Sequence, residues 1–593
     1  LIVVLNSPAI ETLDSGWLCG CSTIATSIRV YKNNRELEMT QSVVVKRSLG
    51  GEIHYDAIII GAGFGGIYML KKLRDELGLH VRAFDKAAGV GGTWYWNRYP
   101  GALSDSESHV YCYSWDKALL QDWTFSHRYV AQPEILRYLN HVVERHDLAR
   151  DIQLNTGIES AIYDEDSCRW LLSDDDGRQY SAKYLITALG LLAATNVPKF
   201  KGADAFKGQT YHTAHWPADA DLKGKRVGVI GTGSTGCQVI TAIAPIVGEL
   251  TVFQRSPQYT VPVGNGPLDS VTVDQIKDRY DDIWKEVRSS RLAFGFEESQ
   301  ISTMSVSETE RKEIFQRAWD AGGGFRFMFE TFNDIAVDEA ANAAAQDFVR
   351  SKIAEIVKDP QTAEKLSPRE FYAKRPLCDS GYYATFNRPN VSLVDVKANP
   401  IVEMTESGVR TADGVEHVLD VLIYATGFDA VDGNYKRMNL RGRHNMPICE
   451  HWNDGPSSYL SVATANFPNM FMILGPNGPF TNLPPTIETE VEWVSDLIGY
   501  MESNGLASVE TSAQAEKEWG DTCSEIANQT LFAKTDSWIF GANIPGKKNA
   551  VYFYMGGLGA FNDTLSDVRN ADYKGFKFTA MNVPQQRVPH TLA

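Results

Sequence analysis

The chain has 593 residues, 43% of them hydrophobic, and a formal net charge of −17: length for two or three domains, in a composition ordinary for a soluble globular protein. The negative balance argues against a non-specific grip on nucleic acid or anionic lipid, and no apolar run reaches the roughly 18 residues that suggest a membrane span. Eight cysteines, of which only Cys19 and Cys21 lie close together, make neither a disulfide framework nor a C-x-x-C redox or zinc pair, so a reducing, cytoplasmic compartment and no metal site are expected.

In chain order, residues 1–50 stand apart. "LIVVLNSPAI" is apolar but lacks a preceding positive charge and a small-residue cleavage site, which argues against a signal peptide. The segment is treated as an N-terminal extension without assigned function. Next, "YDAIIIGAGFGG" is an apolar strand running into Gly61-x-Gly63-x-x-Gly66, with the helical pattern "IYMLKKLRDELG" behind it. Strand, glycines and helix together make a dinucleotide fingerprint: the glycines permit a tight turn and let a pyrophosphate approach backbone N–H groups. The following strand, "HVRAFD", ends at Asp85, where a carboxylate accepts hydrogen bonds from ribose hydroxyls and suits an adenosine without a 2′-phosphate.

"YLITALGLL" closes this first unit, and the ring-rich connector "FKGQTYHTAHWP" follows it. A second fingerprint comes in "KRVGVIGTGSTG", with Gly231, Gly233 and Gly236, and its next strand, "ELTVFQR", ends at Arg255. Arg255 stands as far past Gly231 as Asp85 stands past Gly61, with the opposite sign. A guanidinium there binds a 2′-phosphate with two hydrogen bonds, although a solvated strand end is the alternative reading. One fold therefore reads as FAD-binding and the other as NADPH-binding.

From about Asp269 to Lys365, "VDQIKDRYDDIWKEVRSS", "ETERKEIFQRAWDAG" and "EAANAAAQDFVRSKIAEIVKD" carry helical spacing with alternating charges. "DVLIYATGFD" then reads as a buried strand ending in Ala-Thr-Gly. The expected class is α/β, two Rossmann-like folds with a helical insertion in the second. The expected boundaries are 51–191 with 426–593 for the FAD domain, 192–268 with 366–425 for the NADP domain, and 269–365 for the insertion.

At this point two long signatures carry a resemblance. "FKGQTYHTAHWP" fits F-x-G-x-x-x-H-x-x-x-W-P through Phe206, Gly208, His212, Trp216 and Pro217. "GGTWYWNRYPGALSD" fits a second pattern from Gly91 and Gly92 through Trp94, Tyr99, Pro100 and Gly101 to Asp105. Through these the chain resembles the Baeyer–Villiger monooxygenases from about residue 52 onward. "AKRPLCDSGYY", "GPNGPFTNLPPTIE" and "SWIFGANIPGKK" are most similar to the cyclohexanone monooxygenase branch.

The resemblance implies FAD and NADPH as cofactors, a small-molecule ketone and O2 as substrates, and an ester or lactone product formed through a C4a-peroxyflavin and a tetrahedral adduct. It implies Arg375 as the permanent cation beside the reacting oxygens and Asp105 as its acidic partner. It places Gly92, Thr93 and Trp94 near the flavin, and Lys374 beside the NADP 2′-phosphate with Arg255. Ser234, Thr235 and Gln238 fall in the second phosphate turn and its helix, together with Thr232. Trp538 is implied on the nicotinamide side of a closing loop, and Phe480, Thr481 and Leu483 in the ketone pocket, where core packing explains the apolar pair as well. His212 is read as ordering the domain junction through hydrogen bonds rather than as an acid–base catalyst, with Phe206 and Trp216 packing it.

An N- or S-oxygenating flavin monooxygenase would share both nucleotide folds, and so would a non-catalytic flavoprotein acting as a redox-dependent binding module. A disulfide reductase is disfavoured, because no C-x-x-C follows the first fingerprint. Nothing in the sequence fixes the oligomeric state; a monomer is compatible with it.

Overall fold

The computed structural model describes residues 53–581 and, as a strand pair only, 24–32 with 35–43, which are antiparallel. The rest of the N-terminal extension, including "LIVVLNSPAI", and the stretch from 582 onward lie outside the described residues.

The first sheet grows around β1 (Ile53–Ile60), which leads into α1 (Phe64–Lys71). β2 (Val81–Phe84) and β3 (Ile152–Gln153) extend it in parallel on one side. On the other, β4 (Ile158–Asp164), β5 (Arg169–Asp174) and β6 (Gln179–Thr187) form an antiparallel meander whose last strand lies parallel to β1. The second sheet takes β7 (Gln209–His212) and β8 (Arg226–Ile230), then, after α2 (Ser234–Ile243), β9 (Glu249–Gln254), and far downstream β10 (Val391–Asp395) and β11 (Val421–Tyr424). Its five strands run in the order β10-β9-β8-β11-β7 and all are parallel. β12 (Asn439–Arg441) and β13 (Met470–Met472) then return to the first sheet beside β4 and β6. The chain therefore leaves the first sheet, builds the second and comes back.

The central strands of both sheets, β1, β8 and β11, are buried on both faces, as their apolar sequences require. Successive residues of β8 and β11 point to opposite sides: Val227, Val229, Val421 and Ile423 enter one core, while Ile230, Leu422 and Tyr424 enter another. In the first sheet Ala57 and Ile59 face one core, Ile58 and Ile60 the other. α3 (Leu483–Ser503) covers α1 and contributes Val491, Val494 and Leu497.

The stretches with helical spacing are helices, at Ser270–Asp278, Tyr280–Ser289, Glu308–Ala321 and Glu339–Ile356. They do not all pack on the second sheet. The stripe Tyr280, Ile283, Trp284 and Val287 joins the core beneath α1, whereas Phe315, Trp319, Val349 and Ile353 join the core of the second sheet. The ring-rich connector is more than a link, because its centre is the edge strand β7, with His212 opposite Tyr424.

Candidate active site

Two cradles of the same construction face the ends of β1 and β8. Gly61 has φ +110° and Gly231 φ +108°; a Cβ at either would lie 2.3 Å from the Ala188 carbonyl oxygen or 2.4 Å from that of Ala425. Those two alanines donate N–H bonds of 2.9 Å to Ile60 and Ile230, so "TALG" and "YATG" perform matching jobs at the two crossings. A Cβ at Gly66 or Gly236 would strike the carbonyl of Gly61 or Gly231, at 1.8 and 2.3 Å. Several other helices begin on side-chain caps, among them those at Ser307, Asp338 and Ser512. α1 and α2 begin on Gly63 and Gly233 with no side-chain cap, leaving first-turn N–H groups without an internal acceptor. Nothing lies within 4 Å of where a Gly233 Cβ would stand. Uncapped donors behind an open approach fit a diphosphate.

Around the first cradle, Gly92 (φ +52°) packs on Gly63, with 3.0 Å from its notional Cβ to the Gly63 Cα, and Thr93 opens the short helix Thr93–Trp96. The Asp85 carboxylate accepts N–H bonds from Ala62 (2.8 Å) and Ala87 (2.9 Å), bracing the glycine turn while each oxygen keeps a further lone pair.

Around the second, Arg255 is exposed and makes no hydrogen bond or ion pair among the described residues. Lys374 is paired with Glu370 at 2.5 Å, so a carboxylate competes for the second cation. Ser234 and Thr235 open α2, and the Thr232 hydroxyl donates to the Ser256 carbonyl at 3.0 Å. Gln238 turns toward the other half of the protein: its Oε1 accepts from the Tyr99 hydroxyl (2.7 Å) and its Nε2 donates to the Leu103 carbonyl (3.1 Å). A Cβ at Gly101 would come within 2.7 Å of the Gln238 carbonyl, which explains the glycine in that signature.

Arg375 and Asp105 are in direct contact as a salt bridge. Burial alone would draw the Arg375 pKa down, but the Asp105 charge and hydrogen bond outweigh it and hold the guanidinium above its ordinary value. The other Asp105 oxygen accepts from the Cys378 thiol at 3.4 Å, and burial followed by that carboxylate pushes this thiol well up, away from reactive thiolate. Arg375 stands 5.4 Å over the ring of Phe325. From there an aromatic row continues, Phe325 to Phe480 at 6.3 Å, Phe480 to Phe553 at 5.6 Å and Phe553 to Trp538 at 5.8 Å. The row joins the expected cation, pocket residue and loop tryptophan. Thr481 shares a 2.5 Å hydrogen bond with Thr486, and Leu483 opens α3. On the side of the first cradle, the Trp94 indole donates to the Tyr111 hydroxyl at 3.2 Å; burial pushes that phenol up to about 12.

His212 Nδ1 accepts the Ala214 N–H at 3.1 Å, which leaves its proton on Nε2. Burial, then the neighbouring His215, brings its pKa down to about 4. Gly208 is required because the Phe206 ring lies 2.4 Å from where a Cβ would be. Trp216 packs edge-on to Tyr211 at 5.5 Å, the Pro217 carbonyl accepts from Ala220, and His215, given no role from sequence, sits edge-on to Trp96 at 5.4 Å.

Phe325, Tyr111 and Cys378 were not legible as site residues. Phe325 does follow three glycines in "GGGFRFMF", a break in helical spacing that marks a close approach. Among the described residues no group of His, Cys, Asp and Glu could hold a metal, and no helix is long and apolar enough to cross a membrane.

Residues 55–261 match the family described as flavin-binding monooxygenase-like. A cyclohexanone 1,2-monooxygenase of an Acinetobacter species is 58% identical over 88% of this chain and 97% of its own length. A Baeyer–Villiger monooxygenase of Pseudooceanicola batsensis is 57% identical (88% and 95%), and so is a phenazine N-monooxygenase of Lysobacter antibioticus (88% and 97%). The crystal structure of cyclohexanone monooxygenase from Rhodococcus sp. Phi1 bound to NADP+ superposes with a TM-score of 0.89 at 60% identity, covering 90% of this chain and all of that one. The fold is that of a class of flavin-dependent oxygenases with two dinucleotide-binding folds. Within it, the chain belongs to the Baeyer–Villiger monooxygenase family.

Proposed function

We propose that this chain converts ketones, cyclic ones foremost, to esters or lactones, using NADPH and O2 with FAD in the first cradle and NADP in the second. When bound, FAD supplies the activation of dioxygen and NADPH the reducing equivalents. Gly61, Gly63, Gly66, Gly92 and the uncapped end of α1 receive the flavin diphosphate, and Asp85 its ribose. Gly231, Gly233, Gly236 and the first turn of α2 receive the second diphosphate, with Arg255 and Lys374 at the 2′-phosphate. The corresponding domain division is 51–191 with 426–593, and 192–268 with 366–425, with 269–365 as the insertion.

Arg375 supplies a permanent positive charge where negative charge gathers on oxygen, both on the attacking oxygen and on the ketone oxygen as the carbonyl is attacked. Asp105 fixes its direction. The aromatic row keeps water from the reacting carbon and gives a cyclic ketone an apolar wall. The observation that carries this reading is the Arg375–Asp105 pair at the head of a row reaching Phe480 and Trp538.

A second reading has its own support, since a relative named for N-oxygenation matches as closely as one named for Baeyer–Villiger chemistry. The deciding experiment measures NADPH and O2 consumption over a panel of cyclic ketones and aromatic N-heterocycles, with products identified. Lactone formation matched to NADPH consumption supports ketone oxygenation. N-oxide without lactone supports the alternative.

A further inference from the structure

We propose that Glu107 is a second positioning carboxylate of the oxygenation site: through Arg326 it sets the Phe325 ring against the Arg375 guanidinium. The inference rests on Arg375 being the cation that meets the ketone.

Asp105 and Glu107 alternate along one short segment, and each grips an arginine that arrives from far downstream. Asp105 takes Arg375. Glu107, 9% exposed, accepts from Arg326 Nε at 2.7 Å and from Arg128 Nη2 at 3.0 Å, with His109 Nδ1 at 3.8 Å from its other oxygen. Arg326 also pairs with Glu330 at 2.8 and 2.9 Å and lies 5.0 Å over Phe296. Burial works against the Glu107 carboxylate, yet the arginines around it hold its pKa below the ordinary range, so it stays charged.

The short helix Gly324–Phe329 that carries both Phe325 and Arg326 has little room. A Cβ at Gly324 would be 2.7 Å from the carbonyl of Leu377, which opens the strand Leu377–Asp379 two residues past Arg375; one at Gly323 would be 2.7 Å from the Tyr129 hydroxyl. Phe325 is thereby caught between Phe294, stacked at 4.1 Å, and the Arg375 guanidinium. Arg326 is the next residue, so the Glu107 contact fixes the rotation of the helix. Without it, Arg326 keeps Glu330, just past the end of its own helix, and the Phe296 ring, and no hydrogen bond or ion pair of Arg326 reaches the signature segment. Glu107 is not part of the aromatic row, and its direct link to the helix of Phe325 is Arg326; its second arginine, Arg128, donates to the Ala321 carbonyl just before that helix at 2.8 Å.

The test compares Glu107→Gln, Arg326→Gln, the double variant and Glu107→Asp in flavin-loaded protein. Four quantities are read: flavin reduction by NADPH, lactone formed per NADPH consumed, the dissociation constant of the lactone product, and thermal stability. Each single neutral variant is expected to lose roughly tenfold in lactone per NADPH and about as much in lactone affinity, the order of a small misplacement. Reduction stays within about twofold. The double variant should be no worse than the worse of the two single ones, because each single change already breaks the Glu107–Arg326 contact, and Glu107→Asp should recover most of the loss. Unchanged coupling in Glu107→Gln would overturn the proposal. So would additive losses in the double variant, or losses that follow melting temperature alone. If Glu107→Gln does not hold flavin, Arg326→Gln and Glu107→Asp decide the matter by the same criteria. Failure of the underlying reading shows separately, as wild-type protein that makes no lactone.

Discussion

The Asp105 carboxylate holds the Arg375 guanidinium across 270 residues of sequence, and its second oxygen takes the Cys378 thiol at 3.4 Å. Both oxygens are committed, so the carboxylate cannot turn without breaking one contact. In Asp105→Asn the arginine stays charged but loses its anchor. We expect lactone formation from cyclohexanone to fall by about 10²-fold, as a misdirected catalytic group does, with flavin reduction close to wild type. Stopped-flow reduction and product analysis on the same preparation check this; equal losses in both would refute it.

Arg255 is an exposed cation at the end of β9 with no partner among the described residues. Charge-assisted hydrogen bonds contribute about 1.5–3 kcal/mol, so Arg255→Ala should raise KM for NADPH by about 10- to 100-fold and leave NADH unchanged. Glu370→Gln should act oppositely. It frees Lys374 from its 2.5 Å pair, and KM for NADPH should drop while that for NADH holds. Parallel shifts for both nucleotides would remove Arg255 and Lys374 from the 2′-phosphate.

The glycines of the two cradles are separable. Gly61→Ala drives a methyl into the Ala188 carbonyl, and the purified protein should lack flavin absorbance. Gly231→Ala meets the Ala425 carbonyl instead, and should keep flavin while losing reduction by NADPH. Gly520, inside the helix Ala513–Asn528, has open space where a Cβ would go, so Gly520→Ala should stabilise by roughly 0.5–1 kcal/mol and leave both cofactors alone. Absorbance spectra and thermal melts distinguish the three.

His212 has a pKa near 4, below its ordinary 6.5, so the fold holds the neutral ring. The stability this contributes is present above pH 6.5 and is lost as pH falls toward 4, because the unfolded chain takes up the proton first. Between pH 7.5 and 5, wild-type protein should lose about 2 kcal/mol more unfolding free energy than His212→Gln. Denaturant titrations at the two pH values measure it, and identical acid sensitivity would exclude His212 as the source.

Much of the architecture was readable because both fingerprints are local: strand, glycine turn and helix are contiguous, and Asp85 and Arg255 stand at fixed distances beyond them. The three helical stretches were equally plain from spacing, but which core they would join was not. Tyr280, Ile283, Trp284 and Val287 form an ordinary amphipathic stripe whose partner surface lies elsewhere in the chain. The edge strand β7 was hidden because its four residues are too few to show alternation. The candidate site was legible only through resemblance, Asp105 from a long signature and Arg375 from the short match "AKRPLCDSGYY". Phe325 and Glu107 matter through contacts that a linear reading does not contain. Gln238 shows the same limit, since its place in the phosphate helix gave no sign that its amide serves Tyr99 and Leu103.

The central claim is a fixed guanidinium at the point where oxygen attacks the ketone. The most direct measurement is the lactone yield per NADPH consumed by Arg375→Ala with cyclohexanone, alongside its rate of flavin reduction. The expected result is reduction near the wild-type rate with the yield down by about 10²–10³-fold and hydrogen peroxide in place of lactone. A wild-type yield from that variant would contradict the account.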